Sequence, residues 1–349
     1  MNSFSYDPYG RPRARARRPS LQRLLAALLL VTGVALIGIV SLPAGIPGKS
    51  GQSVPVRRVS RLVYPAVPVR EFVQPADGGW LMPAAVVTAG DATFVLDTGN
   101  NRVLKLDAGG RVVAAFDAAS DPQLVLRQPM AMATDGRRLF IANSLAGQVV
   151  VTDLAGRVER VIALEAGGTP SRPIGVAVTP GGDIVVSDAD NQRVLILDGE
   201  GRWKHTAGGH GRAAGAEGFN VPGALSVDAA GAIYVVDTLN GRVVKLSPDG
   251  AFIREYGRPG DAAGTLSRPK GVAVDAAGRV FVSDGLQAAV EVFARDGAYL
   301  GLIGRSDPGD VASGSLFQAP AGLWLAGDRL YVIDRMAGLA ILRLSTPPP

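Results

Sequence analysis

The chain has 349 residues and no cysteine. The length allows a large core in one or two domains, and the missing thiols exclude disulfides, a lipid-modified cysteine, thiolate metal sites and covalent haem attachment. The formal net charge of +5 is unevenly placed: residues 1–23 hold six Arg and one Asp, residues 24–60 add Lys49, Arg57 and Arg58, and 27 basic face 30 acidic residues in the remainder. Nucleic-acid binders carry a basic surface over the folded domain, so a mildly acidic main part argues against a nucleic-acid partner.

In chain order, residues 1–23 show no apolar periodicity and read as a basic cytoplasmic tail containing Arg11, Arg13, Arg15, Arg17, Arg18 and Arg23. Residues 24–42 (LLAALLLVTGVALIGIVSL) then run nineteen positions without a charge. At ~1.5 Å per residue, a helix of this length nearly spans the ~30 Å hydrocarbon core of a bilayer. Arginines before it and few charges after it set the orientation expected of a single-pass anchor: N-terminus in the cytoplasm, the rest periplasmic or extracellular. The competing reading is a cleaved signal peptide. It is disfavoured because the apolar run exceeds a usual signal core and no small-residue cleavage site follows. Residues 43–60 form a Pro/Gly/Ser linker.

From residue 61 onward the chain reads as strand. Residues 61–74 (RLVYPAVPVREFVQ) are extended, because Pro65 and Pro68 exclude a helix. Six related copies follow, beginning at Pro83, Pro129, Pro173, Pro222, Pro269 and Pro320, at spacings of 46, 44, 49, 47 and 51 residues. The 45 Gly and 24 Pro fall between the apolar runs and so mark turns. Periods of this size are the signature of propeller arrays. In the third copy, RVLILD is apolar at Val194 and Ile196 and also at Leu195 and Leu197. A strand apolar on both faces must be covered on both faces, and stacking each small sheet against the next supplies that cover. Six copies of four strands need 24 strands, and the last copy stops after three. Residues within about 66–74 are expected to complete the sixth sheet and close the ring, which would otherwise leave an open strand edge.

The pattern P-x-G-V-A-V-D, a glycine-containing turn, then V-x-V-x-D-x-x-N-x-R-V resembles the NHL repeat of six-bladed β-propellers. Residues 269–284 (PKGVAVDAAGRVFVSD) and 234–246 (YVVDTLNGRVVKL) carry it most clearly. The resemblance covers residues 83–345, about 61–345 with the closing strand. It implies an all-β, six-bladed NHL-type propeller, here preceded by one N-terminal transmembrane helix. Propellers of this kind include RNA-binding and protein-binding modules, receptor sensor domains and an amidating lyase, so the fold alone does not name the function.

The D-x-x-N-x-R turn is complete in three copies: Asp97-Asn100-Arg102, Asp188-Asn191-Arg193 and Asp237-Asn240-Arg242. Its recurrence points to a structural turn, with Asp and Asn bonding backbone N–H groups and Arg pairing with a neighbouring carboxylate. No catalytic set is evident. The resemblance to the amidating lyase implies several zinc-binding His, whereas this chain has only His205 and His210, read as lying in a Gly-rich loop after the third copy. Lactonase-like propellers hold a divalent cation in the central channel. The acids of the inner strands here, Asp228 and Asp275, come at strand ends, where the repeat itself wants an Asp beside a turn. Neither metal nor cofactor is expected.

The connections leading into each proline and the D-x-x-N turns are expected at one end of the ring. Arg127, Arg172, Lys204, Arg268 and Lys270 are assigned there as a positive rim for an acidic protein face or an anionic glycan. The leading reading is a non-catalytic binding or scaffold module held at the cell membrane. The alternative is a metal-dependent hydrolase or lyase on the same fold.

Overall fold

The computed structural model describes residues 64, 66–73, 79–165, 170–209, 218–304 and 315–344. The expected basic tail, transmembrane helix and linker lie outside the described residues. Among the described residues no helix is long and apolar enough to cross a membrane.

The described chain forms six four-stranded antiparallel sheets. Five of them take consecutive strands, with the innermost at Ala85–Ala89, Pro129–Thr134, Pro173–Val178, Pro222–Val227 and Pro269–Val274. The sixth is discontinuous. Its inner three strands are Pro320–Ala326, Arg329–Asp334 and Gly338–Leu344, and its outer strand is β1, Ala66–Val73. Antiparallel pairing runs from Ala66↔Leu344 to Val73↔Leu339. One sheet is thus built from both ends of the propeller sequence, and the ring has no free edge there.

Packing follows from the doubly apolar strands. In the third blade Leu195 and Leu197 pack with Val149 and Val151 of the second. Val194 and Ile196, pointing to the opposite face, pack with Val235 and Val244 of the fourth. Six such clusters occupy the six interfaces between neighbouring blades. The last joins Val86, Val95 and Leu104 of the first blade to Tyr331, Ile333 and Leu339 of the sixth. A hydrogen bond from Trp324 Nε1 to Thr88 Oγ1, 2.9 Å long, crosses the same interface. Tyr64, only 2 % exposed, stands edge-on to Phe281 and donates its backbone N–H to Leu302 O, tying the approach to β1 to the fifth blade.

The inner strands approach each other closely. A Cβ on Gly271 would lie 2.2 Å from the carbonyl oxygen of Ala321 in the next blade. Outer strands are different. In the third blade the strand Trp203–Gly208 is exposed over its first four residues. His205 pairs with Ile196 within this strand, which corrects its expected place in a loop. The strand escapes apolar patterning because only Ala207 of its six residues is buried.

Candidate functional site

Strand register shows which features share one end of the ring. The first residue of an inner strand pairs with the last of the next strand: Pro173 with Asp188, Pro222 with Asp237, Pro269 with Asp284 and Pro320 with Asp334. The entry loops, the prolines and the D-x-x-N turns therefore share one face, termed here the turn face.

On that face the turn carboxylates are fully engaged. Asp188 Oδ1 accepts the Arg172 N–H, and Oδ2 accepts from Asn191 Nδ2 at 2.7 Å and Arg193 Nε at 2.9 Å. Asp97 does the same with Leu81 N–H, Asn100 and Arg102, and Asp237 with Asn220 N–H, Asn240 and Arg242. In the second blade Asn143 accepts the Arg127 N–H and donates to Val125 O. Asp284 and Asp334, whose turns lack the Asn and Arg, accept backbone N–H groups of their own turns: Leu286 and Gln287, and Met336 and Ala337. Each side chain staples an entry loop to its blade. Burial raises the Asp237 carboxyl above its ordinary value, against the hydrogen bonds from Asn220, Asn240 and Arg242.

The inner-strand acids are also engaged. Asp228 accepts from its turn's backbone and from Tyr234 and Lys245, and Asp275 from Ala277, Arg279 and the Arg279 side chain. Among the described residues no group of three or more His, Cys, Asp or Glu could hold a metal ion. His205 is exposed on an outer strand, and His210 lies outside the described residues.

The basic residues assigned to the rim separate into two sets. Arg127, Arg172 and Arg268 are exposed just before their prolines, on the turn face. Arg172 reaches Asp190 at 3.3 Å, a pair open to water on both sides. Lys204 does not belong with them. Its Nζ meets Asp183 Oδ2 at 2.7 Å, before the second strand and at the opposite end of the blade. The outer strand runs antiparallel to its neighbour, so its first residues start from the far face; Trp203 pairs with Leu197, not with Arg193.

Lys270 differs from the exposed arginines. It directly follows its blade's proline, a position held in the other blades by Ala84, Met130, Ile174, Gly223 and Ala321, and lines the channel mouth. It lines a chamber of about 170 Å³ whose walls are otherwise mainly aliphatic. Arg335, absent from the sequence-based set, lines the same chamber. It follows Asp334 directly, where the other turns place Thr98, Ser144, Ala189, Thr238 and Gly285. Two long cations from adjacent blades thus replace small or aliphatic side chains around one opening. Burial, then the charges of Arg268 and Arg335, push the Lys270 amine down to about 8. Burial and Arg268 also lower Arg335. Among the described residues neither forms an ion pair, and Arg335 Nε is buried without an acceptor. A second chamber of about 170 Å³ continues down the channel, sharing Met132, Val176, Leu225, Val272 and Leu323 with the first.

Around this mouth runs an apolar ring. The residue two after each turn Asp or Asn is Leu145, Leu239, Leu286 and Met336 in four blades, all 59–69 % exposed. In the first blade that position is Gly99, and Leu81 lies over it, 53 % exposed. Only the third blade, with Asp190, breaks the series. Val221, at the chamber wall, holds φ 59, as Met82 and Gln128 before the prolines of the first and second blades hold φ 50 and 48, so this left-handed turn belongs to the repeat.

Comparisons with known proteins agree with this architecture. An NHL-repeat family model matches residues 171–197. A streptogramin B lyase structure superposes with a TM-score of 0.55 at 13 % identity, covering 79 % of this chain and 97 % of that one. A virginiamycin B lyase from Staphylococcus aureus gives 0.56 at 11 % identity, with coverage of 79 % and 98 %. A protein of unknown function from Bacteroides thetaiotaomicron gives 0.58 at 12 %, with coverage of 81 % and 73 %. At these identities the likeness concerns the fold alone. No curated protein matches the chain. The chain is a six-bladed β-propeller carrying an NHL repeat.

Proposed function

We propose that the protein is a non-catalytic binding module, anchored in the cell membrane by residues 24–42, with its propeller on the outer side of that membrane and its turn face offered to a protein partner. The observation that carries this reading is the exposed ring of Leu81, Leu145, Leu239, Leu286 and Met336 around a cationic opening. Exposed aliphatic side chains gathered on one face mark association surfaces, whereas scattered ones are ordinary. Arg127, Arg172 and Arg268 on the same face favour a partner whose apolar patch is bordered by acidic groups. Aliphatic side chains of this size favour a protein over a glycan.

The test compares the full-length chain with a Leu145→Ser/Leu239→Ser/Leu286→Ser/Met336→Ser variant. Both are cross-linked in membranes and recovered after solubilisation. The wild type should bring down a stoichiometric protein partner that the variant loses at unchanged melting temperature. Equal recovery by the two would remove the basis for this face. The enzymatic alternative makes a different demand, stoichiometric calcium or zinc in the purified protein, and that finding would displace the binding reading.

A further inference from the structure

We infer that the turn-face mouth of the central channel binds a small carboxylic acid with an aliphatic body, its carboxylate held by Lys270 and Arg335 and its chain lying among the inner-strand side chains. Three observations support this assignment. The first is a pair of cations that form no ion pair among the described residues. Asp284 and Asp334, the carboxylates of the two turns beside the chamber, spend their oxygens on backbone N–H groups: Ser267, Arg268, Leu286 and Gln287 for one, Gln318, Ala319, Met336 and Ala337 for the other, and the charge of Asp284 bears on Lys270 less than those of Arg268 and Arg335. Two cations facing one chamber repel each other, and a buried guanidinium nitrogen without an acceptor is costly. An anion bound beside them offsets that repulsion and offers an acceptor to the Lys270 amine and the Arg335 guanidinium.

The second observation is the wall. Beyond the two cations the chamber is lined by Ala84, Met130, Ile174, Ala224 and their neighbours, with Thr238 as a further polar side chain. A phosphate would lack the additional donors that its dianion needs. A carboxylate matches the planar fork of one Arg, and the remaining wall calls for methylenes. The third is size. About 170 Å³ is room for roughly six groups the size of water, and the second chamber below it extends the space for a chain. The site is independent of the partner proposal. Serine substitutions in the apolar ring leave Lys270 and Arg335 in place, so the two ideas fail separately.

The test is isothermal titration calorimetry on the full-length chain with hexanoate, 1-hexanol and inorganic phosphate. Hexanoate should bind about tenfold or more tightly than hexanol, the difference that a charged hydrogen bond supplies. Phosphate should bind more weakly still. Lys270→Met and Arg335→Met should each weaken hexanoate about tenfold or more, Lys270→Arg should retain binding, and thermal melts should show all of them folded. Affinity should fall as pH rises through about 8, where Lys270 gives up its proton; Arg268, Arg335 and Asp284 are the other charges that bear on it. No hexanoate binding, or hexanoate binding that survives the double Lys270→Met/Arg335→Met change, overturns the assignment. So does hexanol binding equally well, and phosphate binding as tightly as hexanoate would refute the aliphatic half. A capped peptide with one glutamate is the final arm. Its binding in place of hexanoate would refute a free acid as the ligand.

Discussion

Replacing Lys270 by methionine should make the propeller more stable at neutral pH. The ammonium group sits at the wall of an aliphatic chamber, facing the charges of Arg268 and Arg335, and its pKa falls from the ordinary 10.5 to about 8, with burial as the main cause. In the unfolded chain the amine holds its proton up to the ordinary value. Below about 8 both states are protonated and the folded state bears the full cost of the charge. Between about 8 and 10.5 the folded state has released a proton that the unfolded state keeps, so stability rises with pH across that window. At about 1.36 kcal/mol for each tenfold change in proton affinity, the ceiling on the cost is ~3 kcal/mol. Lys270 keeps some contact with water, so ~1–2 kcal/mol is the expected gain for Lys270→Met, which preserves the aliphatic stem. Urea denaturation followed by tryptophan fluorescence, at pH 7 and again at pH 10, measures it. The variant should be the more stable at pH 7, and the gap should narrow at pH 10. A variant that is less stable at pH 7, or a gap that ignores pH, would refute the account of a buried charge without an ion-pair partner.

Two further substitutions examine how the ring is built. Tyr64→Ala removes the edge-on contact with Phe281 and the hydroxyl that meets Arg279. It should cost ~3–4 kcal/mol, and a thermal melt within error of wild type would show that the segment before β1 does not hold the closure. Gly271→Ala brings a Cβ to 2.2 Å from Ala321 O and 3.0 Å from Ser283 Oγ. The carbonyl belongs to the neighbouring inner strand and cannot rotate away, so ~2–4 kcal/mol should be lost; a loss under ~0.5 kcal/mol would mean that the inner strands are free to spread.

Much of the architecture is present in the order of residues. Prolines at near-regular spacing mark the inner strands, and Asp or Asn before each turn marks the staple that holds an entry loop. Apolar residues on both faces of strands such as Arg193–Leu197 require a neighbour on either side, and a closed ring of six supplies one. The turn residues also show their role by recurrence, since a side chain repeated in three copies answers a need that all blades share.

The candidate site is a different case. Lys270 and Arg335 lie 65 residues apart, in different repeats and at different places within the repeat. Setting the copies in register exposes each as an exception, a long cation where the others carry small or aliphatic side chains. Nothing in that register says that both exceptions face one opening. Lys204 shows the converse: it is close in sequence to the turn of its blade, yet antiparallel pairing starts its strand at the far face, beside Asp183. The exposed strand Trp203–Gly208 lacked an apolar pattern because only part of it is buried. Local sequence therefore determined the buried strands, the turns and the number of blades, since these depend on burial and backbone bonding within each repeat. Which charges meet at the channel mouth was decided by tertiary structure alone, because closing the ring sets side by side residues that no local interaction relates.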